Sequence, residues 1–177
     1  MNEVVQVASG EVDDSEPEQV RIGDVVATAA ERSQRRSGRQ VLVQSDDSEL
    51  IIRRGQLERA VSNLLENAVK FDQSDSPIEV TVVDGRISVL DRGPGIPIAD
   101  QPLVFERFHR SATARTLPGS GLGLSMVATI ARQHGGEVFV ADRDGGGAVV
   151  GLTLPVVRSW DPPCLLYTSD AADDNVG

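Results

Sequence analysis

Asn63, Asn67 and Lys70 stand at positions i, i+4 and i+7, the spacing that lines three side chains along one stripe of a helix. An amide oxygen can ligate a hard cation such as Mg²⁺, and a compact ammonium suits a phosphate oxygen. Two mid-helix asparagines carry a propensity cost, and Lys70 is the single lysine among 17 basic residues. A plain solvated helix face would also account for the stripe. Asp91 ends the run Ile87, Val89, Asp91, so the two-residue strand period turns its carboxylate to the same side as those apolar residues. A buried carboxylate needs donors, either the amides of Gly93 and Gly95 or a ligand. An adenine offers an exocyclic amine where guanine offers a carbonyl oxygen, a difference of about 1 to 3 kcal/mol or about 5- to 150-fold in affinity. An aspartate that merely opens a tight Gly-Pro turn is the competing explanation. Finally, Gly119-Ser120-Gly121-Leu122-Gly123-Leu124-Ser125 leads into a helix, where bare amides and the helix dipole make an anion site. A flexible turn explains that segment equally well. It is neither a Walker phosphate loop nor a dinucleotide fingerprint.

These side chains need elements to hold them. Gly55 to Phe71 reads as a helix with Leu57, Ala60, Val61, Leu64, Leu65 and Ala68 as its apolar stripe. Val20 to about Ser37 reads as another, with Ile22, Val25, Val26 and Ala29 inward and Arg32, Arg35 and Arg36 toward its C-terminal end. Val41 to Val43 and Leu50 to Ile52 suit short strands. Ile78, Val80 and Val82 alternate with polar residues, and Asp84-Gly85 offers a hairpin turn into Arg86 to Leu90. A short helix is expected near Pro102 to His109, then a loop ending in Gly119-Ser120-Gly121 and a helix to about His134 closed by Gly135. Glu137 to Ala141 and Ala148 to Leu154 form a last hairpin across Asp144 to Gly147. The sum is an α+β two-layer sandwich, with a mixed, mostly antiparallel sheet and helices on one face.

A chain of 177 residues that is 40% hydrophobic suits one domain with ragged ends. Acidic residues outnumber basic ones by 27 to 17, which argues against nucleic acid as a partner. The most apolar stretch, Ala148 to Val157, falls far short of the roughly 20 residues that cross a bilayer, and the N-terminus lacks a signal-peptide layout. Cys164 is the only cysteine, so one copy of the chain has neither a disulfide nor a cysteine metal site. Residues 1–19, acidic and containing Pro17, read as a linker or the end of a helix that begins upstream.

Four ordered stretches closely resemble the ATP-binding domain of the histidine kinases. They are Asn63-Leu64-Leu65-Glu66-Asn67-Ala68-Val69-Lys70-Phe71, Asp91-Arg92-Gly93-Pro94-Gly95-Ile96, Phe105-Glu106-Arg107-Phe108-His109-Arg110 and Gly119 through Leu124. In that family these are the N box, first glycine box, F box and second glycine box. Gln133-His134-Gly135-Gly136 and the ending from Gly146-Gly147-Ala148 to Leu154-Pro155 fit it too, so the resemblance spans residues 20–157. It implies the Bergerat-type ATP fold shared with gyrase, MutL and the heat-shock chaperone ATPases. By that likeness Asn67 would hold Mg²⁺, Asn63 and Lys70 would support the phosphates, and Asp91 with Gly95 would bind adenine. Phe71, Gly93 and Ile96 would belong to the same cofactor site. Gly119, Ser120, Gly121, Leu122, Gly123 and Leu124 would border the nucleotide. Arg110 to Ser120 would be a lid, with Arg110 reaching the γ-phosphate and Phe105 and Phe108 anchoring it in the core.

The hydrolysing relatives place a glutamate four residues before the Mg²⁺-binding asparagine. Here that position is Asn63, which cannot act as a base, so steady hydrolysis is not expected. The catalytic candidates are Asn63, Arg110 and Glu66, the last about 60° from Asn63 around the helix and suited to polarising an acceptor. The resemblance implies transfer of the γ-phosphoryl group to a histidine. Neither His109 nor His134 has the sequence context of the family's acceptor, so the acceptor is expected on dimerisation helices absent from this chain. The implied partners are those helices, a second copy in the parent homodimer and a response regulator. The implied location is the cytoplasmic side of a parent anchored in the bacterial inner membrane. Two alternatives are a degenerate ATP-binding or protein-interaction module, and an anti-sigma-type serine kinase, whose pattern lacks the F box. Residues 158–177 fall outside the family pattern. Cys164 to Asp174 resembles translated sequencing adapter, a disordered acidic tail being the other reading, and neither Cys164 nor Trp160 is expected to carry a function.

Overall fold

In the computed structural model the chain is described over residues 14–109 and 121–157. In chain order the elements are β1 (Glu18–Arg21), α1 (Ile22–Ser37), β2 (Val41–Ser45), β3 (Glu49–Ile52), α2 (Arg54–Phe71), β4 (Ile78–Val83), β5 (Arg86–Leu90), α3 (Gly123–Gln133), β6 (Glu137–Asp142) and β7 (Ala148–Thr153). The five-stranded sheet runs β2-β4-β5-β7-β6, antiparallel except where β2 lies parallel to β4.

The alternation in β4 buries Ile78, Val80 and Val82 and leaves Glu79 and Thr81 half-exposed. The turn into β5 has Asp84 and Gly85 both left-handed, at φ 50° and 82°, the twist a two-residue hairpin requires. Against the apolar face of the sheet lies α2, flanked by α1 and α3. Its stripe of Leu57, Ala60, Val61, Leu64, Leu65 and Ala68 is buried as the spacing predicts. Each such Leu contributes about 1.5 to 3 kcal/mol when withdrawn from water. α2 and α3 run antiparallel: His134, after the end of α3, meets Gln56 in the first turn of α2, Nε2 to Oε1 2.7 Å.

Three expectations change. The helix expected from Val20 begins at Ile22, because Val20 belongs to β1 and pairs with Leu50 of β3, where both side chains are buried. Glu18 and Gln19, assigned above to a linker, are part of that strand. Of the strands expected around Val41 and Leu50, the first joins the main sheet and the second forms this separate two-stranded ribbon. The helix expected over Pro102 to His109 is only a 3₁₀ turn, Gln101–Leu103, followed by turns. Phe108 takes a left-handed φ of 63° that no helix accommodates, and it donates its N–H to the Gly121 carbonyl at 3.0 Å.

Candidate functional site

Because α2 buries one stripe against the sheet, Asn63, Asn67 and Lys70 come to lie half-buried along its rim. A Cβ built on Gly123, the first residue of α3, would stand 4.0 Å from Cγ of Asn63. The N-terminus of α3 therefore comes up beside Asn63 of the stripe. The Lys70 ammonium lies 5.4 Å from the Phe71 ring centroid. Glu66 is not brought to this stripe. It is exposed and turned toward α1, where it pairs with Arg36 at 2.9 Å.

At the other end of α2, the chain leaving β5 packs against the helix C-terminus. Gly93 approaches so closely that any Cβ there would meet the Phe71 carbonyl oxygen at 2.8 Å. Asp91 is buried, 4% exposed, on the side the strand period indicated. Its Oδ1 accepts the Gly93 N–H at 2.9 Å and the Ala148 N–H at 3.2 Å. Gly93 was an expected donor, and the place foreseen for Gly95 is taken by Ala148 from β7. Burial pushes the Asp91 carboxyl above the usual range. The two amide bonds and the Arg143 charge oppose that push, and the charge of Asp72 adds to it.

Several residues that the spacing did not reveal frame this end. Arg143, its side chain 8% exposed, donates to the Asp91 carbonyl at 3.3 Å and to Glu79 at 2.7 Å. Arg92 donates to the carbonyls of Asp144 and Gly146 at 2.8 and 3.1 Å, fastening the β6–β7 turn to the segment after β5. In that turn Gly147 has φ 111°, and a Cβ on it would lie 2.0 Å from the Asp91 carbonyl oxygen. Gly95, at φ 80°, stands beside it. The only local signal for this frame is the run Gly145-Gly146-Gly147 after an arginine.

Of the remaining expected residues, Ile96 and Leu124 are half-buried and pack on the core. Gly121 and Leu122 lead into α3, with Gly121 tied to Phe108. Arg110, Gly119 and Ser120, with the expected lid, lie outside the described residues. Phe105 packs on the core as expected, but Phe108 does not: its left-handed backbone turns the ring outward, 64% exposed. His134 is engaged with Gln56, and burial together with the charge of Arg53 holds its ring below the usual histidine range. His109 lies 3.8 Å from Asp100.

A buried acceptor beside the C-terminus of α2, an amide and ammonium stripe along that helix and the N-terminus of α3 beside Asn63 together suit a base joined to phosphates. The chain belongs to the histidine kinase-, DNA gyrase B- and HSP90-like ATPase family, whose model matches residues 53–158. Within it, the chain is a histidine kinase ATP-binding domain. It is 35% identical over 163 residues to the signal transduction histidine-protein kinase/phosphatase MprB of Mycobacterium tuberculosis, a match covering 89% of this chain. The chain spans about a third, 32%, of that relative's length. A solved mycobacterial sensor histidine kinase MprB superimposes with TM-score 0.71 at 36% identity, covering 78% of this chain and 98% of the other. The ATP-binding domain of PrrB from Mycobacterium tuberculosis gives TM-score 0.67 at 28% identity, covering 81% and 100%. These likenesses bear out the expected α+β sandwich.

Proposed function

We propose that this chain binds Mg-ATP along α2 and delivers its γ-phosphoryl group to a histidine carried by other helices of a parent sensor kinase. The observation that carries the reading is the arrangement along α2: the buried Asp91 acceptor at its C-terminal end, and Asn63, midway along it, beside the first residue of α3. Adenine then sits with its exocyclic amine on Asp91, with Gly93, Gly95 and Ile96 beside it. The phosphates run toward Asn63, Lys70 and the amides at Gly121 to Leu124. Asn67 would hold Mg²⁺ through its amide oxygen, a hard ligand that suits a hard cation. Bound there, the ion would neutralise charge on the phosphates.

The residues of this chain otherwise position and shield. Asn63 can hydrogen-bond a phosphate but cannot accept a proton, so water is not activated and the phosphoryl group waits for its acceptor. Arg110 completes the γ-phosphate end in this reading. Residues 20–157, extended by the β1 residues Glu18 and Gln19, form the domain. The parent is a membrane-anchored homodimer whose kinase domain faces the cytoplasm and whose product serves a response regulator.

Calorimetric titration of the chain with Mg-ATP should give saturable binding, weaker for GTP by about 5- to 150-fold. Incubation with γ-labelled ATP should leave the chain unlabelled. Absence of binding would overturn the reading of the site, and robust labelling would overturn the placement of the acceptor elsewhere. Glu66→Ala should leave ATP affinity within about twofold, since it removes only an exposed ion pair with Arg36. A tenfold loss would return Glu66 to the site.

A further inference from the structure

Asp72, the residue that follows α2, has a side chain with 0% exposure and a full set of donors. Its Oδ1 accepts from the Ser74 amide at 2.8 Å and the Ser74 hydroxyl at 2.6 Å. Its Oδ2 accepts the Arg92 N–H at 2.7 Å and faces Arg39 Nη2 at 3.2 Å. Arg39 also donates to the carbonyls of Asp72 and Ser76, both at 2.5 Å, so its guanidinium is spread over the segment between α2 and β4. A carboxylate that only closed the local turn would need Ser74 alone. This one reaches across to the residue directly after Asp91. The peptide joining Asp91 to Arg92 is consequently gripped on both sides, its N–H by Asp72 and its carbonyl by Arg143.

We infer that Arg39 and Asp72 are a positioning pair for base recognition: by fixing the Asp91–Arg92 peptide and setting the charge beside it, they hold the Asp91 carboxylate ready for the base. The inference rests on the reading of Asp91 as the acceptor of the adenine amine. Charge supports it as well as geometry. Burial raises the Asp72 carboxyl, yet the Ser74 hydroxyl, the amides of Arg92 and Ser74 and the Arg39 charge outweigh that and hold it below the usual range. Asp72 therefore stays ionised, and its charge adds to the burial that raises Asp91. The charged groups around Asp91 are Asp72 after α2 and, behind it, Arg39 from the α1–β2 connection; Arg92 after β5; and Arg143, itself paired with Glu79 of β4, from the β6–β7 turn.

The test is ATP affinity from mildly acid to neutral pH for the chain and for Arg39→Gln, Arg39→Lys and Asp72→Asn. At neutral pH, Arg39→Gln and Asp72→Asn should each weaken binding by about 2- to 30-fold. The acid limb, where Asp91 protonates, should move to higher pH in Arg39→Gln, which leaves the Asp72 charge uncompensated. It should move to lower pH in Asp72→Asn, which removes that charge. Arg39→Lys keeps the charge and should keep the limb. Should Asp72→Asn fail to fold, the Arg39 pair decides alone: a limb that moves upward in the glutamine variant and stays in the lysine variant supports the inference. An unmoved limb in Arg39→Gln, or shifts in the same direction for the Asp72 and Arg39 variants, overturns it. Asp91→Asn separates the two levels. If it binds ATP normally, the reading of the site falls; if it loses ATP while Arg39→Gln behaves as the parent, only the positioning inference falls.

Discussion

Asp91→Asn is expected to lower ATP affinity by about 5- to 150-fold while leaving the fold at least as stable at neutral pH. An asparagine oxygen can occupy the place of Oδ1 and keep both bonds, from Gly93 and Ala148. Its NH₂ then replaces the second oxygen and presents a donor to the donor of adenine, so the loss falls on the ligand. Stability moves the other way because the Asp91 carboxyl is raised, chiefly by burial. A raised acid contributes its stability below the unfolded-state pKa and loses it as pH climbs through the folded-state value, so at neutral pH the ionised group is a burden that asparagine removes. Titration calorimetry and denaturant melts, at neutral pH and in mild acid, measure both effects. The stability advantage should fade in acid, where Asp91 is itself neutral. A variant that is several kcal/mol less stable yet binds ATP normally would refute the assignment.

Gly147→Ala should destabilise the domain by about 2 to 6 kcal/mol, the sum of left-handed strain and a forced backbone shift. The φ of 111° is one contribution, and the 2.0 Å approach of the new Cβ to the Asp91 carbonyl oxygen is the larger. That atom is backbone just after β5, held by Arg143, and cannot swing aside as a side chain could. Gly146 is the internal control: its φ is 104°, but nothing lies within 4 Å of a Cβ there. Gly146→Ala should therefore show the strain alone, about 1 to 3 kcal/mol. Urea melts of the two variants side by side measure the difference. Equal losses would mean that the close approach at Gly147 relaxes without cost.

The sequence made plain what repeats locally. The apolar stripe of α2, the Asp84-Gly85 hairpin and the inward turn of Asp91 each follow from a period of a few residues. What stayed hidden depends on distance along the chain. Val20 is one apolar residue in an acidic stretch, too little to declare a strand until Leu50 is beside it. Arg39 finds its partners 33 and 37 residues away, and Arg143 reaches Asp91 across 52, so neither leaves a local pattern. Phe105 and Phe108 mimic helical spacing, but the left-handed Phe108 obeys its bond to Gly121 rather than the period. In the site, the amide stripe and Asp91 were legible from residue type and spacing. The arginines that fasten the Asp91 end were not, because the carbonyls and carboxylates they hold lie far along the chain.

One bond gives the site a timetable. Asp91 takes its second amide from Ala148, 57 residues further along the chain. During synthesis, α2 and its asparagines are made first, and the β4–β5 hairpin can close on neighbours already present. On the proposed reading, the seat for the base is still missing at that stage, because β7 must insert beside β5 before Ala148 can meet Asp91. A growing chain would then carry the proposed phosphate side of the site well before the Asp91 seat, which is completed only when the β6–β7 hairpin has been made.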